Sequence, residues 1–222
     1  MQFTIKILAL ISLLVSVQAP LSLNFSASLF TNPVQAKTVQ ERQAEADRLQ
    51  QQGFEEGLKN RQFEAALESW QKALTIYREI KDRRGEGRSL GNIGYAYFLL
   101  DDREKAIEYL EQDLAIARDI KDRQEEADAL GNLGTVYYSQ GDYPKAIDYY
   151  QKSLAIQRQL KNSRGEALCL NNLVSAYRYL GEYAKATESE QQSFAIANTQ
   201  QETSSTTRLW QQFKIVERYG NL

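Results

Sequence analysis

The sequence lacks histidine altogether and has a single cysteine among its 222 residues. Without an imidazole the chain cannot form a Ser-His-Asp or Cys-His nucleophile pair, and tetrahedral zinc sites built from cysteine and histidine are excluded as well. The lone thiol, Cys169, also excludes an intramolecular disulfide. Most familiar enzyme chemistry is therefore absent, and the composition predicts a protein with no catalytic residues, no cofactor and no bound metal.

A surplus of either charge is also missing. The 27 Lys and Arg residues are nearly balanced by 29 Asp and Glu residues, which leaves a formal charge of -2. Proteins that bind nucleic acids usually carry a basic surplus that neutralises phosphates, so we expect no nucleic-acid partner. The remaining composition, 42% hydrophobic and 25% charged, is typical of a water-soluble globular protein with one or two domains.

The first 36 residues differ in composition from the rest of the chain. Lys6 is their only charged residue, and a mostly apolar run over residues 7–17 follows it. This arrangement is typical of a secretory signal peptide, and the Val34-Gln35-Ala36 triplet predicts cleavage after Ala36. Cleavage after Ala19 is the less favourable alternative, because a proline would follow the cut. The apolar run is shorter than the roughly 20 residues of a spanning helix. We therefore expect an exported protein, periplasmic or extracellular, with no membrane contact after cleavage.

A period of 40 residues runs through the rest of the chain. The segment Leu90-Gly-Asn-Ile-Gly-Tyr-Ala-Tyr97 recurs at residues 130–137 and, more loosely, at residues 170–177. An earlier copy is one residue out of register near Gly53, and such a degenerate end unit is expected in a solenoid. The repeats predict a domain over residues 37–198, with units at about 41–82, 83–122, 123–162 and 163–200.

Each unit has the pattern of two amphipathic helices. Leu90, Ile93, Gly94 and Tyr97 follow the i, i+3, i+4, i+7 spacing of one helix face. Gly94 and its counterpart Gly134 predict a close approach of the second helix, against Ala106 and Ala146 respectively. Two further features predict where helices end and begin: Gly141 and Gly181 as left-handed turns, and Asp82, Asp122 and Asn162 as N-caps. The predicted fold is an all-α, right-handed superhelical solenoid of antiparallel helix pairs.

This pattern resembles the tetratricopeptide repeat. The matching residues are the Gly94/Tyr97 and Gly134/Tyr137 pairs, the Gly-x-Tyr turns at Gly141 and Gly181, and Ala106, Ala146 and Ala186. The period exceeds the usual unit of about 34 residues. The longer form is similar to the repeats of kinesin light chains and Pins-type proteins. It is also similar to those of exported bacterial, notably cyanobacterial, proteins that are often joined to a caspase-like protease domain.

Three asparagines form a column along the predicted concave groove. Asn92, Asn132 and Asn172 recur once per unit, and each side chain carries a hydrogen-bond donor and an acceptor. In the kinesin light chain and Pins-like proteins, asparagines of this motif contact bound peptides, which the resemblance implies here. Alternatively, the same amides bond between adjacent repeats and set the superhelical pitch. The other candidate groove residues are Asn171, Tyr95, Phe98, Tyr138, Tyr179, Arg88, Asp128 and Arg178.

After the repeats, residues 199–222 begin with a polar stretch that predicts a loop. Leu209, Phe213 and Val216 then have the spacing of an amphipathic helix, with Trp210 beside them. We expect this helix to cap the apolar face of the last repeat. A frayed tail is the alternative.

The sequence favours a non-enzymatic module that binds a peptide or protein segment in its groove and acts as a scaffold or adaptor. Two alternatives remain open. One is a structural solenoid that self-associates into a homo-oligomer through its end faces. The other is an accessory protein, or a truncated relative of a larger protein that joins such repeats to a caspase-like protease.

Overall fold

A computed structural model describes residues 33–199, with side chains from residue 38 onward except that of residue 58. The first repeat contains α1 (Pro33–Phe54), a π-helical turn (Glu55–Lys59) and α2 (Phe63–Ile80). The following helices are α3 (Arg83–Leu99), α4 (Arg103–Asp119), α5 (Arg123–Ser139), α6 (Tyr143–Gln159), α7 (Ser163–Tyr179) and α8 (residues 183–199). Residues 33–199 contain no β-strand.

From Glu41 onward the described helices belong to one compact unit, in which each helix packs against the next one along the chain. The predicted all-α solenoid of antiparallel helix pairs is thereby confirmed. No helix within the described residues is long and apolar enough to cross a bilayer. Most of the predicted signal peptide (residues 1–32) and the predicted capping helix lie outside the described residues.

Short polar side chains begin the helices where the sequence predicts. The carboxylate of Asp82 accepts a hydrogen bond from the backbone N–H of the third residue of α3, at 3.0 Å. Asp122 and Asn162 do the same for α5 and α7, at 3.2 and 3.1 Å. Asp102 and Asp142 cap α4 and α6 in the same way. Each cap satisfies a backbone donor that has no partner inside its own helix, which stabilises the helix start.

The turns inside the helix pairs have a left-handed residue. Gly141 and Gly181 adopt φ angles of 80° and 75°, which confirms their predicted role. Asp101 occupies the same place in the second repeat with φ 65°. An L-residue is disfavoured in this region, although aspartate tolerates it better than most residues.

The two glycines of the helix faces allow close packing of the second helix, mainly against its large side chains. A Cβ atom on Gly94 would lie 2.7 Å from Leu110 Cγ and 3.2 Å from the backbone oxygen of Ala106. On Gly134 it would lie 2.6 Å from the ring of Tyr150. Ala106 therefore contributes to the contact at Gly94, as expected, and the nearest neighbour of Gly134 is Tyr150. Large buried side chains of the second helix fill the space that the glycines leave.

The offset of the first repeat has a structural counterpart. The π-helical turn Glu55–Lys59 follows α1 directly, and a single π turn accommodates one extra residue without ending the helix. Gly53 still packs against the second helix, since a Cβ atom there would lie 2.5 Å from Trp70 Nε1. The extra residue thus leaves the glycine contact of the first repeat in place.

Candidate functional site

A cavity of about 490 Å³ opens between the first helices of the second, third and fourth repeats. Five of the predicted groove residues line it: Tyr95 and Phe98 from α3, Asp128 and Asn132 from α5, and Asn172 from α7. Helix α6 contributes Ser153 and Gln157, both of which are buried. The cavity therefore combines aromatic surface with amide and carboxylate groups, as ligand sites commonly do.

Asn132 and Asn172 present unused hydrogen-bonding groups to this cavity. Both side chains are half-buried, and neither amide has a hydrogen-bond partner among the described side chains. An amide that is partly removed from water without a partner costs free energy, which a ligand hydrogen bond would recover. The two asparagines can each offer a donor and an acceptor to the same ligand.

The first asparagine of the predicted column is placed differently. Asn92 donates to the side-chain oxygen of Gln50 at 3.2 Å, and Gln50 donates in turn to Ser89 at 2.7 Å. These bonds join the first repeat to the second. Allowing for the extra residue of the first repeat, Gln50 corresponds to Gly91 and Gly131 in the next two repeats. Because glycine has no side chain, Asn132 and Asn172 have no equivalent partner.

Two other predicted groove residues are held inside the last repeat. Asn171 accepts a hydrogen bond from Ser193 at 2.9 Å. Arg178 forms an ion pair with Glu190 at 3.0 Å. Both partners lie on α8, so these side chains connect α7 to its own pair mate and do not line the cavity.

The remaining candidates lie outside the cavity as well. Tyr138 and Tyr179 form an aromatic cluster with Tyr143, in which the ring centroids of Tyr143 and Tyr179 are 4.9 Å apart. Such a cluster packs the third repeat against the fourth. Arg88 is exposed on α3, where its positive charge acts on Glu125 of the next repeat.

The cavity wall carries charged side chains of both signs. Burial raises the pKa of Asp128. The hydrogen bonds that Gln124 and Gln157 donate to it, at 2.9 and 3.4 Å, lower that pKa and so act in the opposite direction. Arg164 lines the cavity from α7 and has no ion-pair partner among the described residues. The wall therefore offers a hydrogen-bonded carboxylate and an unpaired guanidinium to a ligand.

Some lining residues are absent from the sequence-based set. Arg164 precedes Asn172 by eight residues, so the helical period places both on one face of α7, and this signal could have found Arg164. Ser153 and Gln157 belong to a second helix, and no pattern in the sequence places second-helix residues in the groove. Only the packing of α6 behind α5 and α7 brings them there.

Comparisons with known proteins agree with this architecture. Residues 58–119 and 125–199 match a family model described as tetratricopeptide repeat. No curated protein sequence matches the chain.

Several solved structures are similar. Aspartyl phosphate phosphatase F from Bacillus subtilis is 19% identical, with a TM-score of 0.68 over 71% of this chain and 41% of that one. A Rap protein complexed with Competence and Sporulation Factor is 24% identical, with a TM-score of 0.66 over 70% of this chain and 43% of that one. The tetratricopeptide repeat domain of Arabidopsis FLU is 27% identical, with a TM-score of 0.50 over 53% of this chain and 98% of that one.

The chain covers between 41% and 64% of the first solved structures that it matches. At identities of 18 to 21% those likenesses show the fold alone.

Proposed function

Since the chain belongs to the tetratricopeptide repeat family, we propose that it is a non-enzymatic interaction module that binds a peptide or protein segment in its groove. The observation that carries this proposal is the pair of unpaired amides, Asn132 and Asn172, in a cavity with aromatic walls. A peptide main chain offers a donor and an acceptor at each residue and is the natural partner for such amides. Tyr95 and Phe98 add flat surface of the kind that dominates interface energetics.

Two further observations support the proposal. The similar Rap protein was solved in complex with Competence and Sporulation Factor, and we extend ligand binding of that general kind to this chain. The chain also lacks histidine, the commonest general base of enzymes.

The period of 40 residues, with α3 to α7 each 17 residues long, supports assignment to the long type of repeat.

The two free asparagines provide the direct test. We expect the Asn132→Ala/Asn172→Ala variant to bind the partner about tenfold or more weakly, because each lost hydrogen bond contributes on the order of 1 kcal/mol. The partner is first captured from an envelope extract with the parent chain, and its affinity for each variant is then measured by calorimetry. Circular dichroism should show equal helix content for all variants.

Asn92→Ala is the matched control, since it removes the same amide from the same repeat position outside the cavity. We expect it to lower stability slightly through loss of the Gln50 bond and to leave partner affinity unchanged. Equal affinity of the parent and the double variant would contradict the groove mechanism.

We also propose that the protein acts in the cell envelope after export. The charged Lys6, the apolar run over residues 7–17 and the Val34-Gln35-Ala36 triplet support this location. We expect the protein recovered from the envelope fraction to begin at Lys37. N-terminal sequencing checks this, and an intact Met1 terminus on that material would refute cleavage.

A further inference from the structure

A buried carboxyl group lies beneath the groove in the second repeat. Asp113 of α4 is only 1% exposed, and its Oδ1 atom has no hydrogen-bond partner among the described residues. Removing a carboxyl group from water without a partner costs several kcal/mol if it is ionised, or forces it to remain protonated. Such a residue needs an explanation beyond packing.

The neighbouring repeats show that the fold does not require this acid. The equivalent positions hold Ala73, Ser153 and Ser193. Ser153 is buried like Asp113, but its hydroxyl donates to the backbone oxygen of Ala127 at 2.7 Å. A small, satisfied side chain therefore suffices in the next repeat, and the acid is particular to the second one.

The two oxygens of the Asp113 carboxyl group lie against two glycines of α3, Oδ2 against Gly91 and Oδ1 against Gly87. A Cβ atom on Gly91 would lie 2.7 Å from Asp113 Oδ2 and 3.9 Å from Oε1 of Glu125. Both carboxyl groups thus approach Gly91, and Asp113 Oδ2 occupies the space that a side chain there would need. Asp128, one turn beyond Glu125 on α5, lines the adjacent cavity. Asp113, Glu125 and Asp128 are together called the acidic site.

The charges around the acidic site are predominantly negative. Burial raises the pKa of Asp113 to about 8, and the negative charges of Glu125, Asp128 and Asp122 add to the effect. Burial also raises the pKa of Glu125, although Arg88 and Arg84 act in the opposite direction. Arg84 is engaged with Asp122 at 2.7 Å. None of the described cations lowers the pKa of Asp113.

We propose that the acidic site receives the ammonium or guanidinium group of a lysine or arginine side chain from the segment bound in the groove. This rests on the proposed function and specifies the chemistry of its ligand. A cation with several N–H donors on the Gly91 side donates to Asp113 Oδ2, which has no hydrogen bond among the described residues, and is attracted by Glu125 and Asp128. Tyr95 lies one turn beyond Gly91 on α3, where its ring can cover the aliphatic stem of the entering side chain.

The occupied site also differs in protonation from the empty one. Asp113 gives up its proton to solvent when the cation enters, because the ion pair stabilises the ionised carboxylate. The carboxyl group is therefore costly in the empty protein and useful in the complex, as expected of a residue kept for binding rather than stability.

Oriented peptide libraries test the proposal. The 222-residue chain is immobilised and offered degenerate peptides whose central residue is lysine, arginine, norleucine or glutamate. We expect the lysine and arginine libraries to bind about tenfold more tightly than the norleucine library. In the Asp113→Asn/Glu125→Gln variant this ratio should fall to about one, while the affinity for norleucine peptides stays unchanged.

The groove variant separates this proposal from the proposed function. Asn132→Ala/Asn172→Ala should weaken all libraries alike and keep the preference for a central cation. An unchanged preference in Asp113→Asn/Glu125→Gln would overturn the acidic site and leave the groove function standing. If no library binds the parent chain, both proposals fail. If n-butylguanidinium chloride alone binds as tightly as the arginine library, the site serves a free cation and the peptide form of the proposal is overturned.

Discussion

Asp113→Asn is expected to raise the free energy of unfolding at neutral pH by on the order of 3 kcal/mol. The reason is that Asp113 is buried, its Oδ1 is without a partner among the described residues, and its pKa is raised to about 8 from an ordinary value of 3.8. Asparagine keeps the shape of the side chain and is neutral in both states, so it does not have to take up a proton on folding. Urea unfolding of the parent and variant chains measures the difference.

The stability gained by Asp113→Asn should increase as the pH rises. Between about pH 4 and pH 8 the folded state holds a proton on Asp113 that the unfolded state has lost. Stability must therefore fall as pH rises through this window, and the slope ends above the folded-state pKa. Because the variant lacks this group, the difference between the two chains should be small near pH 4 and largest at pH 8 and above.

An exposed aspartate provides the control for this prediction. Asp148 lies on the surface and pairs with Lys152 of the same helix. Surface pairs of this kind contribute little, so Asp148→Asn should leave the free energy of unfolding nearly unchanged at every pH. A constant difference between the parent and Asp113→Asn across this pH range would show that Asp113 does not hold the proton.

Gly94→Val is the second change with a large expected effect, a loss of about 3 kcal/mol in the free energy of unfolding. Its new Cβ atom would lie 2.7 Å from Leu110 Cγ and 3.2 Å from the backbone oxygen of Ala106. Leu110 and Ala106 are fully buried, so neither can move aside without disturbing α4 or the next repeat. Urea unfolding followed by circular dichroism measures the loss.

Gly131→Ala is the matched control, because this glycine lies in the middle of a first helix but meets no crowded neighbour. A Cβ atom there would lie 3.7 Å from Ser153 Oγ, which is an ordinary contact. Alanine should therefore stabilise α5 by about 0.5–1 kcal/mol through its higher helix propensity. Equal stability of Gly94→Val and the parent would show that α3 and α4 are not packed as closely as the structure has them.

The three asparagines of the column differ in their contacts although they recur at equivalent positions. The repeat placed Asn92, Asn132 and Asn172 at equivalent positions, and it left their roles undecided between ligand binding and repeat packing. In the structure the first is engaged by Gln50, while the other two line the cavity without partners. The difference depends on the side chain that the preceding repeat presents, which periodicity alone does not reveal.

Local features followed from the sequence because they depend on near neighbours along the chain. Periodicity predicted the helix pairs, and short polar residues predicted the N-caps at Asp82, Asp122 and Asn162. Gly141 predicted a left-handed turn because only glycine adopts a positive φ without strain. These interactions span at most a few residues, so a residue type at a given spacing suffices to specify them.

Packing between helices decided the rest. The contact of Gly134 with the ring of Tyr150, the appearance of Gln157 in the cavity and the burial of Asp113 all join residues from different helices. Each depends on the distance and rotation at which two helices meet, and these are set by every side chain in their interface. The repeat and its helices thus follow from residue spacing along the chain, whereas the packing of the helices specifies which polar groups are satisfied and which remain available to a ligand.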